Sequence, residues 1–303
     1  MPAPFHDRLV ATVLGSALGD ALGMPVEGLS HQNVRTYYKG IKGLVADDKR
    51  GDLGAGQWTA DTQRARAVMR ALTAGAPDSP EEVRQALAGA LPAEVRRGGV
   101  VSPSSAGAAA AAPLGVQARL RGLADLAAAR WASRLLGAID PHPVAAVATA
   151  AQVAALRTCL GKDPDAVTGG HILGAATTAA RDAERLLGAD DRVSTRLARL
   201  AGHLAETPLD LQDRCGGTGA AADEAFPFAV AMVARSPELV EATLLSAINV
   251  GGDTSAVGAC VGALLGALHG TAAFPEGWLD AVEDADALRA EAEALVAALG
   301  GKG

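Results

Sequence analysis

The sequence predicts an all-α protein, and three observations predict it. Hydrophobic residues fill 49% of the 303 positions, yet aromatic residues fill only 3%. The apolar mass is therefore aliphatic and Ala-rich; Ala, Leu and Arg are strong helix formers, whereas Ile and the aromatics that favour strands are scarce. No stretch sustains the period-two alternation of a half-buried strand. Finally, glycine recurs every fourth residue in two segments, at Gly15, Gly19 and Gly23 and at Gly258, Gly262, Gly266 and Gly270. That spacing gathers the glycines on one helical face and permits close helix–helix approach.

The elements follow in order. The first helix is expected over 7–23 and ends at Gly23-Met24-Pro25. Residues 28–57 carry Gly40, Gly43, Gly51, Gly54 and Gly56 and read as a long loop with little regular structure. A second helix starts at Thr59 or Thr62, either of which is a suitable N-cap, and runs through Ala74. Pro77 to Glu82 breaks the chain and opens another helix with carboxylates in its first turn. The uncharged stretch from Val100 to Val116 is either a low-complexity run or a buried helix pressed against a pocket. Further helices are expected at 121–137, 143–160, 164–187, 190–205, 217–234, 237–249, 254–269 and 276–299. No linker divides the chain and no repeat of 20–50 residues is present, so one domain over 1–303 is expected.

Composition limits the function. The net charge of −7, from 34 acidic and 27 basic side chains, disfavours nucleic acid as a partner. From Thr254 to Pro275 there is no Asp, Glu, Lys or Arg, and about 20 apolar residues suffice to span a bilayer. This run is rich in small residues, contains His269 and lacks a basic flank, so it reads as a buried helix and not a membrane span. Cys159, Cys215 and Cys260 are far apart and in no zinc-like spacing; they read as small buried side chains in a reducing compartment. The N-terminus lacks a basic region followed by an apolar core, and the expected location is cytoplasmic.

Three segments at helix boundaries combine acids and hydroxyls with glycine: Gly19 to Gly28, Gly56 to Thr62, and Asn249 to Ala256. Hard oxygen donors of this kind suit Mg²⁺, Ca²⁺ or Mn²⁺. Taken one at a time, the same residues serve as helix caps and turn formers. No G-x-S-x-G elbow accompanies Ser102, Ser104 or Ser105, and no phosphate loop follows a strand. His142, His171, His203 and His269 are scattered, and Trp58 and Trp278 read as core or pocket-wall residues.

Together the three segments resemble those of the ADP-ribosylglycohydrolase family. Gly19 to Glu27 matches its GDALG-x-P-x-E segment, Trp58 to Thr62 its W-T-D-D-T segment, and Asn249 to Ala256 its N-x-G-G-D-T-D-T segment with the glycine-spaced helix that follows. Weaker matches are Ala112 to Gly115, Asp140 to Pro143, Gly217 to Gly219, Phe226 to Phe228 and Phe274 to Leu279, so that the resemblance covers nearly the whole chain. It implies a compact orthogonal helical bundle with two Mg²⁺ or Mn²⁺ ions in a cleft. It also implies cleavage of the bond between the C1″ carbon of ADP-ribose and its acceptor. By resemblance, Glu27 is the catalytic acid on the loop near the ions. Thr59 and Asp61 belong to one metal half-site and Asp253 to the other. Ser104, Ser105, Gly107, Gly252 and Ser255 belong to the ligand pocket.

The departures fall at the centre of that chemistry. Ala60 replaces the first Asp of W-T-D-D-T, Ser255 and Ala256 replace the last Asp and Thr of D-T-D-T, Ala110 stands where the ribose segment has Arg, and Asp140 where a His is frequent. The family pattern sets five carboxylates against two divalent cations, and this chain keeps Glu27, Asp61 and Asp253. Mg²⁺ requires near-octahedral oxygen coordination, so the family's two-metal centre is not expected; no ion, or one weakly bound Mg²⁺ or Mn²⁺, is. Without an ion, crowded carboxylates repel and at least one pKa rises. The resulting expectation is a degenerate site, in effect a pseudoenzyme. It would act as a monomer, binding an ADP-ribose-like molecule or ADP-ribosylated acceptor with little or no turnover, and neither nucleic acid nor membrane. The alternative is an active hydrolase of N- or O-linked ADP-ribosyl groups that uses one divalent ion or none.

Overall fold

The computed structural model describes residues 3–47, 53–74, 80–90, 102–137, 139–161 and 163–300. Among these residues the architecture is all-α, with fifteen α-helices and no strand. In chain order they are α1 (Phe5–Gly23), α2 (His31–Tyr38), α3 (Ala60–Ala74), α4 (Pro80–Ala90) and α5 (Ala106–Ala109). Then come α6 (Ala112–Leu120), α7 (Asp125–Leu136), α8 (Pro143–Gly161), α9 (Gly169–Leu187) and α10 (Arg192–Leu200). The last five are α11 (Pro208–Arg214), α12 (Ala222–Arg235), α13 (Val240–Ile248), α14 (Thr254–His269) and α15 (Ala285–Gly300). Single 3₁₀ turns cover Met24–Val26, Pro164–Ala166 and Thr271–Ala273.

The two glycine-spaced helices, α1 and α14, form the tightest pair. They run antiparallel and meet backbone to backbone. A methyl group added at Gly19 would overlap the carbonyl oxygen of Gly258, and one added at Gly262 that of Gly15. Gly23 meets Thr254 and Gly266 meets Ala11 in the same way. Both helices are buried along almost their entire length, as expected of helices that are apolar all round. Gly270 stands apart from the ladder: it ends α14 at φ +78° against the side chain of Asp7.

A buried guanidinium ties this pair to its neighbour. Arg8 donates from Nε to the Ala267 carbonyl at 2.8 Å and from Nη2 to the Cys159 carbonyl, satisfying acceptors in the last turns of α14 and α8. Helix α8 in turn packs on α6, α7 and α9. Among the described residues, two segments, Phe5–Val26 and Pro143–Gly161, are long and apolar enough to cross a membrane, and both are largely buried within the protein. All three cysteines are free and buried, and burial pushes the Cys159 and Cys215 thiols up to about 12.

The long loop expected over 28–57 holds helix α2, which the glycine density obscured. Ser30 caps it by accepting a hydrogen bond from the Asn33 N–H at 3.3 Å, and Lys39 closes it in the left-handed conformation. Residues 48–52 of that stretch lie outside the described residues, as do 77–79 of the Pro77–Glu82 break and 100–101 of the uncharged run. That run resolves into α5 and α6, both buried. The helix expected over 164–187 starts later, because Thr168 and His171 form a reciprocal cap. The one expected over 217–234 starts at Ala222, preceded by α11 under a second reciprocal cap from Thr207 and Asp210. The one expected over 276–299 starts at Ala285, after a series of turns.

The ladder gives a direct test. Gly19→Ala should lower stability by about 1–3 kcal/mol through overpacking, despite a helix-propensity gain of up to about 1 kcal/mol. Gly174→Ala, at an exposed position of α9 with nothing nearby, should leave stability unchanged or raised. Chemical denaturation of both variants checks the contrast.

Candidate active site

The ladder brings the C-terminal end of α1 beside the N-terminal end of α14. Asp20, in the last turn of α1, is fully buried. Its carboxylate accepts the Thr59 N–H at 3.0 and 3.1 Å, the Thr62 N–H at 2.9 Å and the Thr62 hydroxyl at 2.7 Å. The start of α3 therefore borrows its cap from α1: the amides that an isolated helix leaves unpaired are held by a carboxylate from a neighbouring helix. Thr59 accepts the Asp61 N–H on its own hydroxyl at 3.3 Å. These bonds fix the orientation of Asp61.

Asp61 is buried and engaged on both oxygens. Arg64, one helical turn later, donates from Nη1 to Oδ1 at 3.2 Å, with both side chains less than a tenth exposed. Ser255, in the first turn of α14, donates from its hydroxyl to Oδ2 at 3.3 Å. Ala60, the preceding position, presents a buried methyl group.

The glycines before α14 fasten the loop that carries Glu27. Gly251 and Gly252 have φ of +88° and +89°, a region that favours glycine. A side chain at Gly251 would strike the Leu29 carbonyl and one at Gly252 the Thr218 carbonyl. Gly252 donates to the Leu29 carbonyl at 2.9 Å, and its own carbonyl accepts the Gly28 N–H at 2.8 Å. From the other side, the Thr218 hydroxyl donates to the Gly251 carbonyl at 2.8 Å, and the Asp253 N–H donates to the Thr218 carbonyl at 2.6 Å. Asn249 donates to the Ile41 carbonyl at 3.0 Å and accepts the Ile41 N–H at 2.6 Å. Glu27, Gly252 and Asp253 are the half-buried members of this cluster.

The remaining pocket residues divide by partner. Ser105 donates its hydroxyl to Asp253 Oδ2, and its N–H donates to the Ala220 carbonyl at 3.1 Å. Ser104 faces Asp140 instead: both its N–H and its hydroxyl donate to Oδ2, at 2.7 and 3.0 Å. Ser102 donates to the other Asp140 oxygen at 2.8 Å, as does the His142 N–H at 3.0 Å. Asp140 thus organises the turn before α5 from beneath. Gly107 lies buried inside α5. Trp58 is a core residue: its indole N–H donates to the Glu283 carbonyl at 3.1 Å, and Arg66 lies over its ring.

Burial sets the protonation of the cluster, with charge crowding adding to it at Asp61 and Asp253. Burial pushes the Asp20 carboxyl up to about 6, against the opposing pull of its Thr62 and Thr59 hydrogen bonds. Burial raises Asp61 well above the carboxylate range, and the charge of Asp20 adds to it; Arg64 opposes, while Asp253 and Glu27 push the same way. Asp253 rises to about 7, chiefly by burial, with the Ser105 hydrogen bond opposing and Glu27 reinforcing. Asp140 behaves in the opposite sense. Burial raises it, but the hydrogen bonds from Ser104, His142 and Ser102 outweigh burial and hold it below its ordinary value.

Asp20 and Arg64, both in direct contact with the α3 start, are not among the site residues the sequence pointed to. Arg64 carried one signal, since a residue three positions after an acid on a helix is its neighbour. Among the described residues, no group of three or more His, Cys, Asp or Glu side chains is disposed to hold a metal ion. A groove of about 880 Å³ lined by Arg181, Glu184, Arg185 and Arg199, among others, is formed by α9 and α10 and has none of these acids in its wall.

An all-α bundle with an acidic cluster where α1, α3 and α14 meet defines the class of this protein. The ADP-ribosylglycohydrolase family model matches residues 1–303, and the chain belongs to that family. It is 28% identical over 289 residues to an uncharacterized protein of Archaeoglobus fulgidus, covering 91% of this chain and 92% of that one. A solved structure described as an ADP-ribosylglycohydrolase-related protein complex superposes with a TM-score of 0.70 at 22% identity, over 96% of this chain and 98% of that one. At that identity the likeness establishes the shared fold.

Two outcomes test the site's architecture. Asp20→Ala strands several buried amide donors at the start of α3 and should cost at least about 2 kcal/mol, read by chemical denaturation. The Asp140 carboxyl, held low in the folded state, stabilises the protein above the ordinary carboxylate range near pH 4. That stabilisation is lost as pH falls through the lowered folded value. Denaturation of Asp140→Asn between pH 2 and 6 should therefore show a flatter acid slope than that of the native chain.

Proposed function

We propose that the chain binds ADP-ribose, or an ADP-ribosyl group on an acceptor, at this acidic cluster with little or no turnover and without the family's pair of divalent ions. The state of Asp61 carries this reading. The resemblance makes Asp61 a metal ligand, but here its two oxygens already accept hydrogen bonds from Arg64 and Ser255. Ala60 offers no oxygen, and Ser255 supplies a neutral hydroxyl where the family pattern supplies a charge. Such a donor set does not fit two divalent cations, which need more anionic oxygen than remains.

The chain's own groups suit a hydroxyl-rich ligand. Glu27 and Asp253, the half-buried acids of the cluster, accept hydrogen bonds when ionised, and ribose hydroxyls donate them. The Gly28 to Leu29 strap, fastened to Gly252, keeps Glu27 beside Asp253. A second reading, a hydrolase that works with one ion or none, is favoured by the elevation of Asp253 to about 7, the range of a general acid at neutral pH.

Calorimetry with ADP-ribose in the presence of EDTA separates these readings. Binding without release of free ADP-ribose from an ADP-ribosylated peptide is the expected result. Sustained release would establish the second reading, and Glu27→Gln should then abolish it. Absence of any ADP-ribose binding would overturn both.

A further inference from the structure

The Arg64–Asp61 pair has a role beyond packing. Arg64 is 5% exposed, and its charge opposes those of Asp20, Asp253 and Glu27 at Asp61. A buried charge is tolerated only when paired and hydrogen-bonded. Four acids converge here, and Arg64 Nη1 lies 3.2 Å from the Asp61 carboxylate. A guanidinium carries a full positive charge in a planar fork of donors suited to carboxylates. It is delivered from the same helix as Asp61, three residues on, so that forming α3 forms the pair.

We propose that Arg64 is a tethered cation: its guanidinium supplies, from within the chain, part of the positive charge that a divalent ion would otherwise bring to this cluster, and so makes the cluster independent of metal. This rests on the proposed metal-free reading of the same cluster, and it assigns that independence to a single side chain. A divalent ion approaching Asp61 would have to displace a hydrogen-bonded guanidinium and share the pocket with its charge. Removing the guanidinium while keeping the length and apolar character of the stem should therefore open the acids to a cation.

The test uses MnCl₂ alone, titrated calorimetrically into the full chain and into Arg64→Met and Arg64→Lys. The expected result is an affinity for Mn²⁺ roughly tenfold or more higher in Arg64→Met than in the native chain. Arg64→Lys, which keeps the charge, should stay close to the native chain. Equal Mn²⁺ affinity in the native chain and Arg64→Met would overturn the proposal, as would a gain in Arg64→Lys matching that in Arg64→Met. Should Arg64→Met lose its fold in the absence of metal, circular dichroism supplies the answer: recovery of helix on adding MnCl₂, but not NaCl of equal ionic strength, supports the tether, and no recovery overturns it. None of these readouts involves ADP-ribose. Failure of ADP-ribose to bind would remove the proposed ligand and leave the Mn²⁺ comparison intact, and an unchanged Mn²⁺ affinity would remove the tether without bearing on ligand binding.

Discussion

The contact of α1 with α14 through bare backbone is the constraint from which the site follows. Ordinary helix pairs stand 8–10 Å apart, held off by their side chains. Here Gly15 and Gly19 lie against Gly262 and Gly258 so closely that a single methyl would collide with the opposing carbonyl. The four-residue spacing converts a sequence pattern into a fixed register: antiparallel, with Gly23 opposite Thr254. Everything that extends from the Gly23 end of α1 is thereby set against the start of α14. Asp20 and the Glu27 loop are placed by the first helix, and Gly251, Gly252, Asp253 and Ser255 by the second.

The third wall is built by electrostatics. Helix α3 begins where Asp20 can receive its first amides, so one buried carboxylate couples the direction of α3 to the α1–α14 ladder. That arrangement has a cost. Asp20, Asp61, Asp253 and Glu27 are brought within range of one another; burial drives the first three toward the protonated form, and repulsion adds to it at Asp61 and Asp253. The cluster tolerates this because each of those three has a donor: Thr59 and Thr62 on Asp20, Arg64 and Ser255 on Asp61, Ser105 on Asp253. Hydroxyls and one guanidinium carry that task here.

How much of this was legible in the sequence depended on whether the signal was local. The glycine ladder was, because helical periodicity alone places Gly15, Gly19 and Gly23 on one face; α14 begins and ends at the residues expected. The convergence of the Glu27, Asp61 and Asp253 segments was legible only through the family resemblance, since no local pattern says which helix ends meet. Helix α2 was hidden by the glycines around it, although Ser30 carried the cap signal. The reciprocal cap at Thr168 displaced the expected start of α9, and the one at Thr207 opens α11, a short helix that apolar periodicity did not reveal. Asp140 illustrates a further limit. As a departure from the family pattern it suggested altered chemistry, whereas its carboxylate is occupied by Ser102 and Ser104 of the turn before α5 and by His142 of the turn before α8. No sequence argument distinguishes a buried anchor from a ligand-facing acid, because the difference lies in which way the side chain turns.

The substitutions around Asp61 form one physical unit. Ala60 and Ser255 each stand where the family pattern has a negative charge, and Arg64 sets a positive one beside Asp61. Removing acids without adding the guanidinium would leave Asp61 buried without a cationic partner, a state that costs several kcal/mol when one partner of a buried pair is missing. Adding the guanidinium beside a full set of acids and ions would set like charges together. Together, the smaller acid set and the internal cation are mutually consistent, and the serine at 255 uses the remaining oxygen of Asp61. Both oxygens of Asp61 are thus engaged by side chains of the chain itself, one by a charged donor and one by a neutral one.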